Sequence, residues 1–155
     1  MQRTGTRTLG QSFKNALAGL RYVWLTERNM RIHFAAGLLA LSLAYFGGVS
    51  VTGMLFVVSA TTIVILSEAV NTALESLVDL ATHDFHPLAA KCKDIAAGAV
   101  LISAMYALIV ALIVFLPEFD VIAANLKEAL RTRPLQVAVG AGSCAALALH
   151  AALKR

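Results

Sequence analysis

Charge is what this sequence lacks most. No Asp, Glu, Lys or Arg occurs between Phe34 and Ser67, between Ile95 and Pro117, or between Pro134 and Leu153. Only 14% of the 155 residues are charged and 59% are apolar, with a mean hydropathy of +0.76. A soluble domain is about 45–50% apolar, so the composition excludes an ordinary water-solvated fold and points to lipid as solvent. Cysteine is scarce too. Cys92 and Cys144 have neither redox nor metal-ligand spacing, which excludes a disulfide scaffold or a zinc module. Both read as small apolar fillers. The phosphate loop G-x-x-x-x-G-K-[ST] is absent, as are H-E-x-x-H and G-x-S-x-G, so any nucleotide site has to be built another way. Gly140-Ala141-Gly142 is too little for a dinucleotide loop. The first 30 residues are polar and basic, so no cleaved signal peptide is expected.

What is present are runs long enough to cross a bilayer. A crossing needs roughly 20 apolar residues. The first uncharged tract, 34 residues broken by Gly47-Gly48, reads as two spans and a short turn. The expected organisation is an all-α membrane domain over 1–117 and an extension over 118–155. The domain comprises a surface helix at 9–28 and spans at about 32–46, 51–80 and 90–116. The extension comprises an amphipathic helix and a candidate fourth span. In the surface helix, Leu9, Phe13, Leu17, Leu20 and Trp24 fall within an arc of roughly 80°. Arg7, Lys14, Arg21 and Arg28 form a basic ridge beside them, the pattern of a helix lying in the headgroups. Net charge is +4, with the basic residues at helix ends. That placement suits lipid headgroups or nucleotide phosphates rather than nucleic acid.

Lys and Arg also set the expected orientation. Six precede the first span, Lys91 and Lys93 lie between spans two and three, and Lys154 and Arg155 lie at the end. The turn between spans one and two has none. The N-terminus and the second loop are therefore expected in the cytosol. Lys127, Arg131 and Arg133 argue against an external position for the segment before the candidate fourth span. Either that segment does not cross, or the bias is overridden there.

The chemistry concentrates in Glu68-Ala-Val-Asn-Thr-Ala-Leu-Glu-Ser-Leu-Val-Asp79. Glu68, Asn71, Glu75 and Asp79 share a helix face within an arc of about 100°, and Thr72 lies beside them. Carboxylates at the edge of hydrocarbon are expensive and usually functional. A divalent cation such as Mg²⁺, held by one or two carboxylates together with phosphate oxygens, would relieve their repulsion. The plainer reading is a solvated helix extension, and it is strongest for Asp79. Glu27, the only acid before Glu68, is a further candidate; its plainer role is an i, i+4 partner for Arg31. Lys93-Asp94 precedes the small residues Ala96-Ala97-Gly98-Ala99, which permit close helix approach. His83 and His86 lie in the intervening loop and read first as loop structure.

The acidic stretch and His86-Pro-Leu-Ala-Ala-Lys-Cys-Lys-Asp-Ile-Ala-Ala-Gly-Ala-Val100 together resemble the two signatures of the prokaryotic diacylglycerol kinase family, which includes the undecaprenol kinases. Ala18-Gly-Leu-Arg-Tyr-Val-Trp24 and Thr26-Glu-Arg-Asn-Met-Arg-Ile-His33 resemble its N-terminal pattern. The resemblance covers about 12–116 and leans toward the undecaprenol kinase branch. It implies a homotrimer in the bacterial inner membrane that phosphorylates a membrane lipid alcohol with ATP and Mg²⁺. By the same resemblance Glu68 is the catalytic base, and Glu27 and Glu75 hold the metal. Asn71, Glu75, Lys93 and Asp94 surround the nucleotide, and His86 lies in the loop over it. Asp79, Thr72 and Arg21 are secondary candidates. Residues 118–155 are an addition to the family pattern. A proton- or ion-coupled transporter using Glu68 and Glu75 is the main alternative, but it predicts acids deep in a span and inverted repeats. A membrane phosphatase would need a Ser-Gly-His stretch, which is absent. A non-enzymatic assembly protein gives no reason for three acids and an amide on one face.

Overall fold

The computed structural model describes residues 8–82, 84 and 86–153. Arg7, His83, Lys154 and Arg155, used in the sequence argument, lie outside the described residues. The described chain is entirely helical: α1 (Leu9–Thr26), α2 (Arg28–Gly47), α3 (Val51–Ala81), α4 (Pro87–Phe115), α5 (Phe119–Thr132) and α6 (Pro134–Leu153). Four of these, α2, α3, α4 and α6, are long and apolar enough to cross a membrane. Together with the composition, they make this a multi-pass membrane protein.

Local chemistry sets the helix ends. Thr8 opens α1 with a capping box: its hydroxyl accepts from the Gln11 amide at 3.3 Å, and Gln11 Oε1 accepts from the Thr8 amide at 3.1 Å. α2 ends at Gly48, whose φ of 72° is left-handed, a conformation that costs glycine nothing. Ser50 then caps α3, its hydroxyl accepting from the Gly53 amide at 3.2 Å. Pro87 occupies the first turn of α4, where its missing N–H costs nothing.

The stretch that reads as one surface helix over 9–28 turns a corner inside that range. Glu27 takes extended backbone (φ −93°, ψ 117°), closes α1 and opens α2. α2 therefore begins at Arg28, a turn before the apolar tract. The apolar stripe of α1 is uncovered within the chain: Leu9 is 81% exposed, and Phe13, Leu17 and Leu20 are also exposed, as befits a helix resting on lipid.

α3 and α4 form a long antiparallel hairpin, the most extensive pairing in the chain, with α2 packed against α3. Small buried residues, Ala44, Ala60 and Ala96 among them, let the helices approach closely. Gly37 of α2 meets Thr61 of α3 so closely that any side chain there would overlap the Thr61 methyl. α3 has 31 residues, about 46 Å at 1.5 Å per residue, longer than a hydrocarbon core of about 30 Å. Its last turns, which carry Glu75 and Asp79, therefore leave the oil, with Glu68 near the edge.

The extension docks on α2. Ile122 of α5 packs against Gly47, and Asn125 Nδ2 donates to the Gly47 carbonyl at 2.8 Å. α6 then runs back along α2. Gly140 lies by Ser42 and Phe46 near one end, and His150 stacks on Trp24 at the other. α6 is thus antiparallel to α2 over its full length, as a fourth crossing would be.

Candidate active site

The acids of α3 fall where the hairpin reaches past the hydrocarbon. Glu68 is the most enclosed, only 1% exposed. No hydrogen bond reaches its carboxylate among the described residues. The charges of Glu27, at the α1–α2 corner, and of Glu75, two turns further along α3, both act on it. The corner in the backbone at Glu27 is what brings that acid to α3.

Beside Glu68, Asn71 is buried and donates through Nδ2 to Glu75 Oε1 at 2.8 Å. Asn71 Oδ1 is buried and has no hydrogen-bond partner among the described residues. Leaving a buried acceptor unpaired costs about 1–3 kcal/mol, so a donor or a cation is the natural complement. Thr72 is buried as well, but its hydroxyl is used locally, donating to the Glu68 carbonyl at 3.0 Å.

A second group lies a turn further out. Lys93 of α4 pairs with Asp79 of α3 at 2.5 Å. Both line a cavity of about 260 Å³ with Val78, Thr82, His86 and Ala90. His86 caps α4, its Nδ1 accepting from the Leu88 amide at 3.2 Å. Asp94 and Arg21 are exposed, with no partner among the described residues. The sequence-derived residues therefore separate into an inner acidic group (Glu27, Glu68, Asn71, Glu75) and an outer group (Asp79, His86, Lys93). Asp94 and Arg21 stand apart from both.

Among the described residues no three His, Cys, Asp or Glu side chains are grouped to hold a metal ion by themselves. Mg²⁺ ordinarily takes one or two carboxylates and completes its shell with phosphate oxygens and water. Hard oxygen donors with an orphaned amide oxygen among them fit that mode.

Sequence reasoning missed Arg31 as part of the site's frame. It is only 2% exposed, and its Nη1 donates to the carbonyls of Trp24 and Leu25 at 3.1 and 3.3 Å. That cap on α1 holds the corner at Glu27. Its place four residues after Glu27 was the available signal, and it pointed to an ion pair with that acid rather than to a cap on α1.

One turn to the apolar side of Glu68, a second cavity of about 260 Å³ opens between α2, α3 and α4. Ala60, Thr61 and Val64 line it, with His33 and Gly37 opposite. A largely buried acidic cluster one helical turn from an apolar cleft marks a membrane protein that sets ionisable groups beside an apolar space.

The pattern of the prokaryotic diacylglycerol kinases matches residues 14–115, and the chain belongs to that family. It is 39% identical over 107 residues to a diacylglycerol kinase of Synechocystis, a match spanning 68% of this chain and 61% of that protein. It is 35% identical over 113 residues to the undecaprenol kinase of Bacillus subtilis, spanning 71% of this chain and 92% of the relative. A diacylglycerol kinase of Escherichia coli K12 is 32% identical over 103 residues, 66% of this chain and 81% of the relative. α5 and α6 lie beyond the family's matched region.

Proposed function

We propose that this protein transfers the γ-phosphoryl group of ATP to the hydroxyl of a membrane lipid alcohol at the cytosolic face of the bacterial inner membrane. The observation that carries the reading is the buried Glu68 carboxylate. It has no hydrogen bond among the described residues, it is flanked by Glu27 and Glu75, and it lies one helical turn beyond Val64 of the apolar cleft. The names of the relatives, diacylglycerol kinase and undecaprenol kinase, support the same chemistry.

The lipid hydroxyl lies at headgroup level with its tail in the cleft lined by His33, Gly37 and Thr61. Glu68 orients the hydroxyl and accepts its proton as the oxygen attacks the γ-phosphorus; the bond to the β-phosphate breaks and ADP departs. Glu75 and Glu27 would hold Mg²⁺, and Asn71 Oδ1, whose own amide binds Glu75, would be a further oxygen donor. When bound, the metal supplies positive charge against the phosphate oxygens. Lys93 exchanges Asp79 for phosphate, an exchange that costs little because exposed ion pairs contribute only about 0–1 kcal/mol. His86 and Asp94 flank the nucleotide. Phosphoryl transfer of this kind is mostly positioning and charge stabilisation.

The N-terminus is cytosolic in this reading, because α1 and the α3–α4 tip then face ATP. A homotrimer is part of the same proposal. Leu66, Leu101 and Ile113 are all exposed in the single chain, and neighbouring subunits and lipid would share such faces.

The test is transfer of radiolabelled phosphate in bilayers with diacylglycerol and undecaprenol offered side by side. Label entering either lipid, dependent on ATP and Mg²⁺, is the expected result. Label in neither would overturn the reading.

A further inference from the structure

We propose that α6 braces the corner that carries Glu27, with His150 as a positioning residue acting through Trp24. This rests on the reading of Glu27 as a metal-holding carboxylate. α1 and α2 meet at one extended residue, and Glu27 makes no side-chain cap bond there. The direction of its carboxylate therefore follows how α1 is set on α2. α1 fully buries only Val23, so that setting is decided in its last turn.

Beside the burial of Val23, three side-chain contacts hold that turn among the described residues. Arg31 binds the Trp24 and Leu25 carbonyls. The Trp24 ring meets Phe34 edge-on, with centroids 5.4 Å apart and planes at 83°. Its stacking partner is His150, 6.5 Å away and tilted by only 8°. The first two contacts come from α2, next door in sequence. The third comes from the far end of the chain, outside the region shared with the family.

α6 is able to act as a brace because its register is fixed. Asn125 and Ile122 clamp α5 to Gly47, and Gly140 seats α6 by Ser42 and Phe46. His150 is thereby delivered to Trp24, three residues before Glu27. Both offset-stacked and edge-on rings contribute beyond their buried area, and together they leave the indole little freedom to turn.

Trp24 is the only tryptophan, so its emission reports this corner alone. The full chain in bilayers is compared with His150→Ala and His150→Phe. Two quantities are read: the Mg²⁺ dependence of phosphate transfer at fixed ATP, and Trp24 fluorescence anisotropy. In His150→Ala the half-saturating Mg²⁺ should rise about 3- to 10-fold, the size of one lost aromatic contact, with turnover at saturating Mg²⁺ nearly unchanged. Anisotropy should fall in the same variant, and His150→Phe should restore both. An unchanged Mg²⁺ dependence in His150→Ala overturns the proposal, as does an equal loss in both variants or a loss of turnover alone. If the parent protein phosphorylates no lipid, the kinase reading fails by itself. The brace is then judged on anisotropy, where a loss in His150→Ala rescued by His150→Phe supports it and no change removes it.

Discussion

Asn71 gives an amide hydrogen to Glu75 and, among the described residues, keeps its own oxygen buried without a partner. The stranded acceptor would serve the Mg²⁺ proposed at Glu75. The hydrogen bond aims the Glu75 carboxylate, and the stranded oxygen marks the side from which a cation would approach.

Glu75→Gln keeps an oxygen for the Asn71 amide but removes the charge. The fold should survive, and more Mg²⁺ should be needed for half-maximal transfer. A Mg²⁺ titration at saturating ATP checks this; an unchanged curve would remove Glu75 from the metal site.

Glu68→Gln is nearly the same size and removes the proton acceptor. A general base is worth about 10²–10⁴-fold, so turnover should fall by that order while nucleotide binding persists. Turnover in bilayers and nucleotide affinity are measured in parallel. Full turnover would exclude Glu68 as the base.

The Lys93–Asp79 pair separates a structural role from a chemical one. Both side chains are substantially exposed, 39% and 65%, so Asp79→Asn should cost under about 1 kcal/mol of stability and leave transfer largely intact. Lys93→Met should cost equally little stability yet reduce turnover by about 10²–10³-fold, the usual loss when one charge-stabilising donor is removed. Similar turnover in the two variants would mean that Lys93 serves only the hairpin.

Asn125→Ala removes the side-chain bond to the Gly47 carbonyl and should destabilise the docking of the extension by about 1–3 kcal/mol. Thermal unfolding in lipid, with a probe on α5, measures it. No shift would show that Ile122 packing alone holds α5.

Much of this is legible in the sequence. Uncharged tracts bounded by Gly47-Gly48 and Pro117 locate the long helices, because oil tolerates no unpaired charge. The spacing of Glu68, Asn71 and Glu75 places them on one face because helix geometry admits nothing else. The corner at Glu27 was hidden, since neither glycine nor proline marks it; it is held by Arg31, whose sequence spacing suggested Glu27 as partner and whose Nη1 caps Trp24 and Leu25. The pairing of Lys93 with Asp79 and the stack of His150 on Trp24 join positions far apart in the chain, and periodicity has no reach at that range. The basic residues Lys127, Arg131 and Arg133 pulled against a crossing by the last segment. α6 nevertheless packs along α2, the arrangement a crossing helix would adopt.

That antiparallel run has a practical consequence. A chain that stopped after α4 would end across the bilayer from α1. A crossing α6 would bring position 153 back to the compartment that holds Thr8, so a reporter or affinity handle fused at either extremity would emerge together. A membrane-impermeant protease added to sealed vesicles would remove both or spare both.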